Sequence, residues 1–248
     1  FLLTGSMVRD LVFTSVFLVL TASVVLKGVE QGIELWSKRL MPLLVILLVG
    51  LIVYIASLPG AGEGFKTYLI PEVEQFTDPD IYIAAMGQAF FSLSIGLGGM
   101  MIYGSYLRPG AQLGRLSLSV AALDTLVAFL AGLLIIPALF VAIKLGVSVE
   151  QGNQFIGEGQ LIFAVLPELF GSMGFAGLWV GFGFFILLSI AALTSTMAQA
   201  EVPVSYLLEE HDLPRPVAVA IAMLVIALLA LSLVLWFEPL FGWVVTAV

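Results

Sequence analysis

The side chains of this chain best suited to chemistry are oxygen-bearing groups set inside long apolar runs. Asp124, in "ALDTLVAFLAGL", lies nine residues past Arg115. At about 1.5 Å per helical residue, that places it a third or more of the way into a membrane. An ionised group at that depth costs several kcal/mol on insertion scales, so it faces a cavity or a partner and is a functional residue by default. The plainer alternative is a protonated or hydrogen-bonded packing residue. The segment "GQAFFSLSIGLGG" adds the amide of Gln88, the hydroxyls of Ser92 and Ser94, and Gly96, Gly98 and Gly99. Each glycine lowers helix stability by about 1 kcal/mol relative to alanine. A helix broken here bares backbone carbonyls, which lipid permits only where the backbone is buried in protein or lines a water-filled site. On this segment alone, close helix packing through small residues is the simpler reading. A second cluster, "AALTSTMAQAE", supplies Thr194, Ser195 and Gln199. Ser195 and Gln199 are four apart and share a helix face with Ala191 one turn earlier. Hydroxyls, carbonyls and one carboxylate together form the oxygen set of a hard monovalent cation, and sodium is the physical reading. Glu201, near the end of the same run, reads as a protonated or hydrogen-bonded packing residue.

Other chemistries find no residues to support them. The chain has no cysteine, which rules out disulfides and thiolate metal sites, and its single histidine, His211, sits in the charged stretch "LEEHDLPRP" as a solvated loop residue, so neither metal nor thiol chemistry is on offer. An intramembrane aspartyl protease needs two facing aspartates, and only Asp124 lies deep. The GxG spelling at Gly96 and Gly98 has no βαβ context and is not a dinucleotide loop. The net charge of −8 comes from acids concentrated in loops, which reads as solvation and gives no sign of nucleic-acid binding.

The elements that position these groups follow from composition. With 61% hydrophobic and 10% charged residues and a mean hydropathy of +1.15, the chain is an integral membrane protein. A bilayer core of about 30 Å takes roughly 20 apolar residues per helix. Apolar runs predict an all-α, polytopic membrane helix bundle, read as one transmembrane domain over 1–248. Its helices fall near 11–29, 38–58, 81–106, 117–144, 176–208 and 215–237. Lys27, Lys38, Arg39, Arg108, Arg115 and Arg215 lie in alternate loops, which face the cytoplasm by the positive-inside rule. The acidic loops 59–80 and 145–175 then face outward. Within the second, "GQLIFAVLPELFGSMGF" is either a hairpin folded back on the protein or an interfacial segment. The ending "LFGWVVTAV" is a loop, a half-helix or the start of another span. The chain begins at Phe1 with no leader pattern before the first apolar run, so it reads as an excerpt of a longer polypeptide.

"GQAFFSLSIGLGGMMIYGSYL", "ALDTLVAFLAGL", "AALTSTMAQAEVPVSYLLEE" and "KGVEQGIELWSKRLMP" resemble the neurotransmitter:sodium symporter family, specifically its bacterial amino-acid transporters. The resemblance covers nearly the whole chain and places its spans at the fourth to ninth of about twelve helices. It implies part of the inverted-repeat, leucine-transporter-like fold, in which helices broken at mid-membrane surround substrate and ions. It further implies a multi-pass protein of the plasma or inner membrane. The expected activity is sodium-coupled symport of an amino acid or related amine by alternating access, not enzymatic, with no cofactor and sodium the only metal. The partners implied are substrate, sodium, lipid and the missing helices. Position by position, Ser92 and Asp124 become ligands of a first sodium, and Ala191, Thr194 and Ser195 ligands of a second. Phe91, Ser92, Ser94, Leu97, Ser195 and Gln199 line the substrate pocket, with Phe91 as its lid. Leu97 replaces a phenylalanine and Gln199 an isoleucine of the bacterial leucine transporter, which implies a differently shaped and more polar pocket. Gln88, Asp124 and Ala128 fall at the chloride-site equivalents. Asp124 stands where the family usually has asparagine, when the match is anchored on Gly132; anchoring on Pro137 puts Leu123 there. A fixed carboxylate beside sodium is expected to replace chloride. The alternatives are a sensor or scaffold that kept the fold without transporting, and a fragment inactive alone.

Overall fold

Apolar runs in lipid must satisfy their backbone N–H and C=O groups internally, and helices do this segment by segment. The computed structural model describes residues 7–70, 76–96, 98–147, 150–151, 154–155 and 161–245, so the expected pocket residue Leu97 lies outside the described residues. The chain is an all-α membrane bundle. Helix α1 (Met7–Val25) is followed by a π-helical turn, Val29–Glu34, that runs into α2 (Leu35–Ala56). Then come α3 (Ala61–Leu69), α4 (Pro79–Ser92), α5 (Gly99–Ser105) and α6 (Leu113–Lys144). A two-residue antiparallel hairpin, β1 (Glu150–Gln151) and β2 (Gln154–Phe155), sets Glu150 opposite Phe155. A second π-helical turn, Leu161–Val165, leads to α7 (Leu166–Ser172), α8 (Gly174–Glu210) and α9 (Arg215–Val245). Among the described residues, Val29–Ala56, Leu113–Lys144, Gly174–Glu210 and Arg215–Ser232 are long and apolar enough to cross a membrane.

Two stretches differ in detail from the sequence outline, and a third follows one of its two alternatives. The run 81–106 is two helices, α4 and α5, because glycines and a left-handed serine interrupt it. The stretch 59–80 holds α3, whose glycines let it lie directly on α6. In 145–175, α7 buries Leu166, Leu169 and Phe170, so this apolar segment folds back on the protein. The ending continues α9 unbroken to Val245.

The chain forms two compact units, residues 41–190 and residues 1–40 with 191–248. In the 41–190 unit, Leu51 and Ile55 of α2, Leu134 and Ala138 of α6, Leu166 of α7 and Phe184 of α8 converge on one small void. In the other unit, Val24 and Val25 of α1, Met197, Ala200 and Val204 of α8, and Ala218 and Val219 of α9 form the core.

Candidate functional site

Helix α4 is started firmly and stopped firmly. Asp78 accepts a hydrogen bond from the Asp80 N–H at 3.0 Å, and Pro79 supplies the first helical position, a strong N-terminal signal. At the other end the Ile95 N–H reaches the Phe90 carbonyl at 3.0 Å, and the Ser94 N–H reaches the Phe91 carbonyl at 3.1 Å. These paired bonds are a Schellman motif, in which the residue after the C-cap is left-handed. That residue is Ser94, at φ 53°, where a side chain costs about 1–2 kcal/mol and glycine is usual. Gly96 and Gly98 follow at φ 86° and 82°, and Gly98 caps α5. The interruption is therefore written into the backbone at Leu93–Gly96 and again at Gly98.

Ser92, the last residue of α4, stands at the lip of this break. Its hydroxyl lies 2.7 Å from Asp124 Oδ1 and 2.8 Å from Oδ2. A hydroxyl has one hydrogen, so the donation is shared between both carboxylate oxygens. Asp124 is half-buried on α6, and among the described residues neither ion pair involves it. The structure thus brings the expected first pair together from elements 32 positions apart. Gln88 lies one turn before Ser92 and Ala128 one turn after Asp124, both exposed. Phe91 is 75% exposed, and Ser94 is half-buried.

In the other unit, Thr194 is 7% exposed and its hydroxyl donates to the Ala191 carbonyl at 2.9 Å. Two of the expected second trio are therefore in contact. Ser195 and Gln199 share an exposed face of α8, as their spacing of four requires.

The ion pair of Arg215 was not legible as a pair. Glu201 has no exposed surface, and Arg215 Nη2 lies 2.6 Å from its Oε2. Arg215 Nε also donates to the Val25 carbonyl at 2.9 Å, and Ser205 donates to Glu201 Oε1 at 3.4 Å. Glu201 is thus hydrogen-bonded within the core. The usable signal was an acid inside one helix followed by an arginine at the very start of the next.

A helix broken beside a serine–aspartate pair, within a bundle of membrane-length helices, defines a multi-pass membrane protein with an oxygen-lined polar centre. The family model of the sodium:neurotransmitter symporter family matches residues 4–239. An uncharacterised sodium-dependent transporter of Haemophilus influenzae is 35% identical over 211 residues, 85% of this chain and 44% of that protein. The sodium-dependent serotonin transporter of Drosophila melanogaster is 33% identical over 206 residues, 82% of this chain and 32% of that protein. The crystal structure of MhsT in complex with L-phenylalanine aligns with a TM-score of 0.78 at 38% identity, over 95% of this chain and 51% of MhsT. The chain belongs to the sodium:neurotransmitter symporter family, a family of transporters and not of enzymes. It spans less than half the length of the curated relatives it matches.

Proposed function

We propose that the polypeptide carrying this chain is a sodium-coupled symporter of an amino acid or related amine, working by alternating access without chloride. The observation that carries this reading is the Ser92–Asp124 contact, with one hydroxyl 2.7 and 2.8 Å from the two carboxylate oxygens. Three oxygens converge at the mouth of a helix break. An all-oxygen set containing one carboxylate suits a hard monovalent cation, and among the described residues no cluster of acidic, histidine or cysteine side chains suits a multivalent metal.

Sodium approaching this pair gains from the fixed negative charge of Asp124. At about 4 Å and an effective dielectric of 20, that attraction is about 4 kcal/mol, enough to stand in for a mobile anion. Ala191, Thr194 and Ser195 are assigned to a second sodium. The Thr194 hydroxyl and the Ala191 carbonyl, already within hydrogen-bonding distance, are two of its oxygens. Phe91, Ser92, Ser94, Leu97, Ser195 and Gln199 are assigned to the substrate. The amino-acid class draws support from MhsT, whose structure holds L-phenylalanine.

The test is uptake of a panel of labelled amino acids into proteoliposomes holding the full polypeptide, with and without a sodium gradient and with chloride replaced on both sides. Sodium-driven, chloride-insensitive accumulation is expected, and Asp124→Asn should make it chloride-sensitive. Binding without accumulation defeats the transport reading. Loss of wild-type uptake on chloride removal defeats the assignment of Asp124.

A further inference from the structure

Asp124 rides on a part of α6 that its own unit packs thinly. Leu113, Leu118, Leu123 and Leu126 are exposed, and the buried residues of α6 begin only at Leu134. Pro137 lies inside the helix within that packed half, where it removes one backbone hydrogen bond and crowds the preceding turn. The helix that lies across this weak point is α3, which makes the most extensive contact with α6 of any pair of elements.

Gly60, Gly64 and Tyr68 recur every fourth residue and so form one stripe of α3. A Cβ added to Gly60 would meet Lys144 Cβ at 3.1 Å and the Phe140 carbonyl at 3.2 Å. One added to Gly64 would meet Pro137 Cα at 2.5 Å. Tyr68 seats its ring on Gly132, where an added Cβ would collide with its hydroxyl. The Tyr68 hydroxyl donates to the Phe129 carbonyl at 3.2 Å, and its ring lies 5.6 Å from that of Phe129. The stripe thus runs antiparallel to α6 and crosses Pro137, with Tyr68 as its contact nearest Asp124.

We propose that Tyr68 is a positioning residue for the cation site: by gripping α6 at Phe129 and Gly132 it holds the Asp124-bearing half in line with the packed half, and so sets the carboxylate against Ser92. This rests on the sodium reading of Ser92 and Asp124 given above. Gly132 is the socket, and Gly60 and Gly64 are the far end of the splint.

The experiment measures equilibrium binding of radioactive sodium to the purified full polypeptide, together with its melting temperature. Tyr68→Phe keeps the ring and removes the donor, and it should raise half-saturating sodium about threefold to tenfold, the size of one net hydrogen bond. Gly132→Ala should shift it in the same direction. Tyr82→Phe, which removes a donor to the Phe76 carbonyl, should leave it unchanged. In an Asp124→Asn background, Tyr68→Phe should cause no further shift. A Tyr68→Phe protein that melts lower yet binds sodium as the wild type does would reduce Tyr68 to a packing residue and overturn the proposal. Sodium binding insensitive to Asp124→Asn alone would instead remove the site itself, and the proposal with it.

Discussion

Replacing Arg215 by alanine removes the guanidinium that faces a fully buried carboxylate. Glu201 is 0% exposed, the pair closes at 2.6 Å, and the arginine side chain is itself only 22% exposed. Breaking such a pair by deleting one partner costs about 3–5 kcal/mol, because the remaining charge stays desolvated. The Val25 carbonyl loses its arginine donor in the same step. The full polypeptide is about twice this length, so each kcal/mol shifts its melting temperature by about half of the 2–4 °C found for chains of about 150–250 residues, and the expected fall is about 3–10 °C. Thermal melting of the detergent-purified full polypeptide reads it directly. Replacing both residues by methionine should recover most of the loss, since apolar side chains of similar volume leave no charge to compensate. If Arg215→Ala melts within about 2 °C of the wild type, or the double variant falls below the single one, the pair does not work as described.

Ser92→Ala removes the only hydroxyl that touches both oxygens of Asp124 among the described residues. Hydrogen bonds to charged groups are worth about 1.5–3 kcal/mol, so half-saturating sodium should rise about tenfold or more in a binding assay, with Ser92→Thr close to the wild type. Gly64→Ala drives a methyl against the Pro137 backbone at 2.5 Å. Overpacking of this kind costs about 1–3 kcal/mol, visible as a lower melting temperature. Gly98→Ala puts a side chain at φ 82° and should cost about 1–2 kcal/mol, again read by melting.

The glycines and serines between Ser92 and Gly99 were conspicuous in an apolar run, but on their own they read more simply as close helix packing, and the expectation of a break came from the resemblance. The joining of Ser92 to Asp124 was not visible in periodicity, since their elements are separated by a loop and α5; it came from resemblance to whole motifs. Helix α3 was hidden inside a stretch rich in charge and glycine, yet its stripe of Gly60, Gly64 and Tyr68 keeps a helical spacing of four. Glu201 carried the right expectation of a hydrogen-bonded packing residue, but its partner did not. Arg215 reads in sequence as a loop charge, and only the turn between α8 and α9 brings it back over the preceding helix. Side chains that reach across a turn leave no periodic trace, which is why the apolar faces were easier to read than the ionic contact between them.

The bond from Arg215 to the Val25 carbonyl spans 190 positions of sequence, and this separation is also an interval of time. At about 5–20 residues per second, a ribosome needs roughly 10–40 s to deliver the arginine after α1 is complete. The apolar partners of Val24 and Val25 at Ala218 and Val219 arrive just as late. Helix α1 is thus fastened only when the start of α9 arrives, and a chain cut between residues 191 and 214 loses that fastening while keeping every residue of the 41–190 unit.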